Sequence, residues 1–108
     1  MKFLFIVPPR FVVQPPVYLA GYENWNTTIT CNIFGFPSPR IEWSRAQKAM
    51  PKGRHVKSGN RLIIMNTRRE DNGPYMCRGI NNQGKVFGLV VLNVYSVSKY
   101  QLNVLIDL

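Results

Sequence analysis

Two cysteines and one tryptophan constrain this chain more than anything else in it. Cys31, Trp43 and Cys77 follow one another at intervals of 12 and 34 residues. Each stands in a stretch where apolar and polar residues alternate. Between Thr27 and Phe34, the residues Ile29, Cys31 and Ile33 fall on one side, and Thr28, Thr30 and Asn32 on the other. Between Arg40 and Arg45, Ile41 and Trp43 share a side. A period of two is that of a strand with one buried face, so both cysteines and the indole are expected to point inward. Two cysteines are too few for a four-ligand zinc site and too far apart for a redox CxxC pair. One intrachain disulfide and two inert core thiols both remain open at this point.

The rest of the chain keeps the same rhythm. Short apolar runs are cut about every 8–12 residues by Gly, Pro, Asn and Ser, which predicts a sandwich or barrel of short strands. Strands are expected at Arg10–Gln14, Val17–Leu19, Thr27–Phe34, Arg40–Arg45, around His55-Val56, at Arg61–Met65, Tyr75–Ile80 and Lys85–Tyr95. Pro15-Pro16 should break the first of them, and Thr67–Asn72 should be a polar corner. With 108 residues, 45% of them hydrophobic, the chain has the size and the apolar content of one packed domain.

Residues Asp71-Asn72-Gly73-Pro74-Tyr75-Met76-Cys77 read D-x-G-x-Y-x-C. Upstream stand Gly35-x-Pro37-x-Pro39-x-Ile41-x-Trp43 and Leu62-x-Ile64, and downstream Asn81-x-x-Gly84. In this order and spacing, from about Pro9 to Val94, the chain resembles an immunoglobulin-superfamily domain of the I-set type. The resemblance implies an all-β, two-sheet Greek-key sandwich over residues 9–95, which leaves 1–8 as an N-terminal extension and 96–108 as a C-terminal extension or linker. It also implies an inter-sheet disulfide between Cys31 and Cys77. Trp43 would pack on that bridge, Leu62 would fill the core, and Gly73 would take the corner backbone. The Tyr75 hydroxyl would bond back to the corner, and Asp71 would need a cation, for which Arg54 is the expected partner. Thr67 departs from the pattern, where an apolar residue is usual, as does Pro74. By the same resemblance the domain is an extracellular or cell-surface module for adhesion or receptor–ligand recognition. An intracellular muscle or cytoskeletal scaffold domain with free thiols is the alternative.

Three surface features bear on partners. If Val86, Gly88, Val90, Leu92 and Val94 point inward, then Phe87, Leu89 and Val91 point outward, joined by Met76 and Ile80 from the neighbouring strand. Together they would form an apolar protein-binding face, with Arg40 and Glu42 as its polar rim. Lys and Arg number 14 against 5 Asp and Glu. From Arg45 to Arg69 there are eight basic residues and no acid. Of these, Arg45, Lys48, Lys52, Arg54, Lys57 and Arg61 are candidates for holding a heparan sulfate-type glycan, against the plainer reading of a solvated sheet edge. Asn26-Thr27-Thr28 is an N-glycosylation acceptor pattern at Asn26.

An enzyme is not expected. His55 is the one histidine, and the carboxylates Glu23, Glu42, Glu70, Asp71 and Asp107 are scattered. No nucleophile–base pair, phosphate loop or metal-ligand set appears. No cofactor or small-molecule substrate is implied, and no recognition helix or base-stacking motif suggests nucleic acid. No run reaches the ~18 apolar residues of a membrane span. The opening apolar run, Phe3 to Val7, is shorter than the ~7–15 residues of a signal-peptide core. It is read as a truncated or fragmentary start, with a truncated signal remnant as the alternative, and any membrane anchor is expected outside this chain.

Overall fold

The computed structural model describes residues 5–96. Most of the two expected terminal extensions, 1–8 and 96–108, lies outside them. Nine strands follow in chain order: β1 (Val7–Phe11), β2 (Tyr18–Tyr22), β3 (Thr27–Thr30), β4 (Ile33–Phe36), β5 (Arg40–Arg45), β6 (His55–Ser58), β7 (Arg61–Ile64), β8 (Gly73–Asn81) and β9 (Gly84–Tyr95). A 3-10 turn, Arg69–Asp71, stands before β8, the only helical element among the described residues.

The strands form two layers. One is the four-stranded sheet β2-β9-β8-β5. The other contains the ladder β3-β7-β6 and the pair β1-β4. The Cys31 N–H donates to the Asn60 carbonyl at 2.8 Å, and the Val12 N–H to the Asn32 carbonyl at 2.9 Å. These bonds carry the second layer across the interruption between β3 and β4. The expected strand Thr27–Phe34 is thus two ladders on opposite edges of one run of chain.

The first strand lies earlier than its expected position at Arg10–Gln14. Pro8 and Pro9 sit inside β1, and the register against β4 slips between Val7 and Arg10. An edge strand tolerates this, because a proline nitrogen that faces away from the ladder, or stands at a bulge, costs no ladder bond. The second strand starts at Tyr18 and pairs parallel with β9, Tyr18 opposite Val91 and Tyr22 opposite Tyr95. β8 begins before its expected start at Tyr75 and carries Pro74 opposite Val91.

The core lies between the layers. Ile29, Leu62 and Ile64 come from one, and Trp43, Tyr75, Val90 and Leu92 from the other, all buried. Complete burial of a side chain such as Leu62 contributes about 1.5–3 kcal/mol. Cys31 and Cys77 are joined by a disulfide that crosses this core. Trp43 stands opposite Cys77 in the β5–β8 register. Gly88 faces Cys77 from β9. A Cβ on it would lie 3.0 Å from the Cys77 sulfur and 2.6 Å from Phe11, so only glycine lets β9 pass the bridge this closely.

The corner before β8 is tied in polar fashion. The Asp71 carboxylate accepts bonds from both Arg54 guanidinium nitrogens, at 2.9 and 2.8 Å, and from the Arg68 N–H at 2.8 Å. Burial pushes the Asp71 carboxyl up. The Arg54 and Arg68 donors more than offset this and hold its pKa below the usual value. The Tyr75 hydroxyl donates to the Asp71 carbonyl at 2.7 Å. Burial pushes that phenol up to about 12. Gly73 has φ 122°, a conformation that L side chains rarely adopt. The departure at Thr67 has a local explanation. Its side chain is fully buried, and its hydroxyl hydrogen-bonds that of Thr27 at 2.7 Å.

Candidate functional site

The outer face of the sheet β2-β9-β8-β5 is built by alternation along each strand. On β9, Val90 and Leu92 face the core, which turns Phe87 and Leu89 outward, 49% and 53% exposed. The β8–β9 register sets Met76 beside Leu89, Arg78 beside Phe87, and Ile80 beside Lys85. Met76, Ile80 and Val91 are half-buried, since each stands inside the sheet with neighbours on both sides. The five predicted apolar residues therefore share one face.

Charges frame it. The Glu42 carboxylate accepts two bonds from Arg78, at 3.1 and 2.7 Å, and lies 3.4 Å from the Arg40 guanidinium. The Arg78 bonds hold Glu42 below the usual carboxylate range, against an opposing effect of burial. Arg78 and Lys85 stand over the Phe87 ring, at 5.9 and 5.8 Å from its centroid. Arg40 and Glu42 thus border the face, as expected, while Arg78 reaches into its middle.

Sequence reasoning missed the aromatic half of this surface. The parallel β2–β9 register lines up Tyr18 with Val91 and Tyr22 with Tyr95. The Tyr22 ring lies 5.5 Å from Trp25 and 6.3 Å from Tyr95, and all three are exposed. The signal was the alternation Tyr18-x-Ala20-x-Tyr22, uninterpretable without the identity of the pairing strand.

The basic stretch divides. Arg45 donates to the carbonyls of Glu70 and Asn72, at 3.1 and 2.7 Å, and lies over the Tyr75 ring. Arg54 is committed to Asp71 and to the carbonyls of Met65 and Asn66. Lys48 and Lys52 line a shallow cleft with these two arginines, Arg68 and Glu70. Lys57 borders a different hollow, with Glu42, Met76 and Arg78. Arg61 is exposed on β7. The six candidates do not meet in one place, and the two arginines nearest the cleft already hold protein carbonyls.

Asn26 is exposed ahead of β3, and its Oδ1 accepts from the Asn66 N–H at 3.1 Å. The His55 Nδ1 lies 2.7 Å from the Pro51 carbonyl, a local tie to the loop. Among the described residues no cluster of three or more His, Cys, Asp or Glu could hold a metal, and no helix is long and apolar enough to cross a membrane.

Known proteins share this architecture. A family model described as an immunoglobulin domain matches residues 8–81. Human Protein turtle homolog B is 34% identical over 79 residues, covering 72% of this chain and 6% of the relative. Protein amalgam of Drosophila melanogaster is 35% identical over 79 residues, covering 72% of this chain and 24% of the relative. The crystal structure of the insect immune protein hemolin superposes with a TM-score of 0.74 at 26% identity, covering 83% of this chain and 23% of that one. The chain therefore spans a small part of the proteins it matches. Two layered sheets, a bridge between them, the indole opposite one of its cysteines and the tyrosine bonded to its corner agree with these matches: the chain belongs to the immunoglobulin-domain family.

Proposed function

We propose that this domain is an extracellular recognition module that presents the outer face of β2-β9-β8-β5 to a protein partner in adhesion or receptor–ligand binding. The observation that carries this reading is the exposure of Phe87 and Leu89 on one face of β9, in the stretch that pairs with β8 and extends past the end of β2. Apolar groups so placed add nothing to the core, and covering them releases ordered water. Met76, Ile80 and Val91 extend the patch, and the Arg40–Glu42–Arg78 cluster supplies a polar border. The closed disulfide supports an oxidising compartment over an intracellular filament. The hemolin structure is described with implications for homophilic adhesion, which makes a second copy of the chain one partner to test. No catalytic role follows from this surface.

The test is binding of the secreted chain, displayed as a multimer, to itself and to intact cells. The double change Phe87→Ser and Leu89→Ser should abolish binding and leave the melting temperature close to that of the parent, since both side chains are half exposed. Binding that survives this change, is lost on Lys48→Glu with Lys52→Glu and is lost after heparinase treatment would replace this reading with a sulfated-glycan one. The two lysines on the cleft favour that second reading; the internal commitments of Arg45 and Arg54 weaken it.

A further inference from the structure

The turn between β2 and β3 brings three features into one small area. The Trp25 N–H donates to the Tyr22 carbonyl at 3.1 Å, closing a turn that sets the two rings together. Three further bonds clamp this turn to the segment before the 3-10 helix. The Asn24 N–H donates to the Thr67 carbonyl, the Thr67 N–H to the Trp25 carbonyl, and the Asn66 N–H to Asn26 Oδ1. Asn24 takes φ 71°, which Asn tolerates better than most residues. Trp25, although held this firmly, leaves half its surface in water, at 52% exposure.

The adjacent Asn26-Thr27-Thr28 is the one Asn-x-Ser/Thr pattern in the chain. Asn26 and Thr28 are both exposed. The clamp engages Oδ1 of Asn26, so the side chain is held through the atom that glycosylation leaves alone. A rigid, exposed pair of aromatic rings thus stands directly before an acceptor asparagine in the chain.

We propose that Asn26 carries an N-linked glycan whose first sugar lies on the shelf formed by Tyr22 and Trp25. The modification precedes folding. The bond from Nδ2 to the sugar C1 forms while the bond from C1 to the diphosphate oxygen of a polyprenyl-diphosphate oligosaccharide donor breaks. The polyprenyl diphosphate leaves with that electron pair, and the amide gives up one proton. In the folded domain the C–H face of the sugar then packs on the electron-rich ring faces, removing apolar surface that the fold leaves open. The inference rests on the extracellular reading above, because the donor is met only on the secretory route.

The experiment uses the full chain secreted from eukaryotic cells. Peptide N-glycanase should lower its mass and leave aspartate at position 26. Of the two tryptophans Trp43 is buried, so acrylamide quenching reports on Trp25. The quenching constant of the glycosylated chain should be less than about half that of the Thr28→Ala chain, because the sugar covers much of the indole surface that the fold leaves in water. The glycosylated chain should also melt about 4 °C higher, the shift a domain of this size shows for one aromatic contact. Trp25→Ser should remove that difference while leaving the glycan attached. A secreted chain with its disulfide closed and Asn26 unmodified would overturn the site and leave the extracellular reading standing. A modified Asn26 with equal quenching and melting in both chains would overturn the packing.

Discussion

Thr27 and Thr67 form an isolated polar pair within an apolar setting, and its behaviour on mutation can be worked out in advance. The two hydroxyls lie 2.7 Å apart, and the residues are 5% and 0% exposed. A Cβ built on Gly21 would come within 3.0 Å of the Thr27 hydroxyl and 3.7 Å of the Thr67 methyl. So tight a site leaves little room for a water to replace a lost partner. Thr67→Val keeps the side-chain shape, removes one hydroxyl and leaves the other buried alone. The orphaned group should destabilise the domain by about 1.5 kcal/mol, and Thr27→Val by about the same. Changing both removes the pair and the orphan together, so the double variant should lie within about 0.5 kcal/mol of the parent. The coupling in the double-mutant cycle is then about 3 kcal/mol, far above what independent sites show. Urea unfolding of the four proteins, with unchanged slopes as a control, reads this directly. Thermal midpoints should fall by roughly 6–12 °C for each single variant and recover in the double. Additive losses would refute the reasoning, because they would mean that each hydroxyl has its own partner.

Two more outcomes follow from the bridge and the corner. Replacing Cys31 and Cys77 by alanine opens a loop of 46-residue separation and should destabilise by roughly 4 kcal/mol on the chain-entropy model, enough to unfold a domain of marginal stability in mild denaturant. Circular dichroism at 37 °C would show this. Arg54→Met leaves the Asp71 carboxylate buried and unpaired, and should cost about 3 kcal/mol at pH 7. The Asp71 pKa is depressed in the folded parent. Its contribution is therefore present above the unfolded value of about 4 and disappears as pH falls through the folded one. The stability gap between parent and variant should accordingly narrow below about pH 4. A gap that stays constant from pH 7 to pH 3 would contradict the ion pair's role.

Residues whose role depends on near neighbours and strict alternation were legible from sequence. Cys31, Trp43, Leu62, Tyr75 and Cys77 are buried residues with fixed spacing, and the Arg54–Asp71 pair joins two charges that burial forces together. Phe87 and Leu89 followed from alternation within one strand. The misplaced elements were those decided by partners far along the chain. β1 accepts Pro8 and Pro9 only because it lies at an edge, and edge position is set by which strand remains unpaired. Tyr18 and Tyr22 joined the outer face only because β2 pairs with β9 instead of continuing β1. Charge in the basic stretch was visible in composition, but not that Arg45 and Arg54 would hold backbone carbonyls 27 and 12 residues further along the chain.

The parallel pairing of β2 with β9 also determines how the domain meets tension. Chain enters β2 at Tyr18 and leaves β9 at Tyr95, at opposite ends of a ladder whose strands run the same way. Pulling the chain ends apart slides one strand along the other and loads the rungs together, whereas an antiparallel pair pulled from its open end gives way one rung at a time. Beyond that barrier the sulfur bridge takes the load straight from residue 31 to residue 77, and the chain between them contributes no length to the extended molecule.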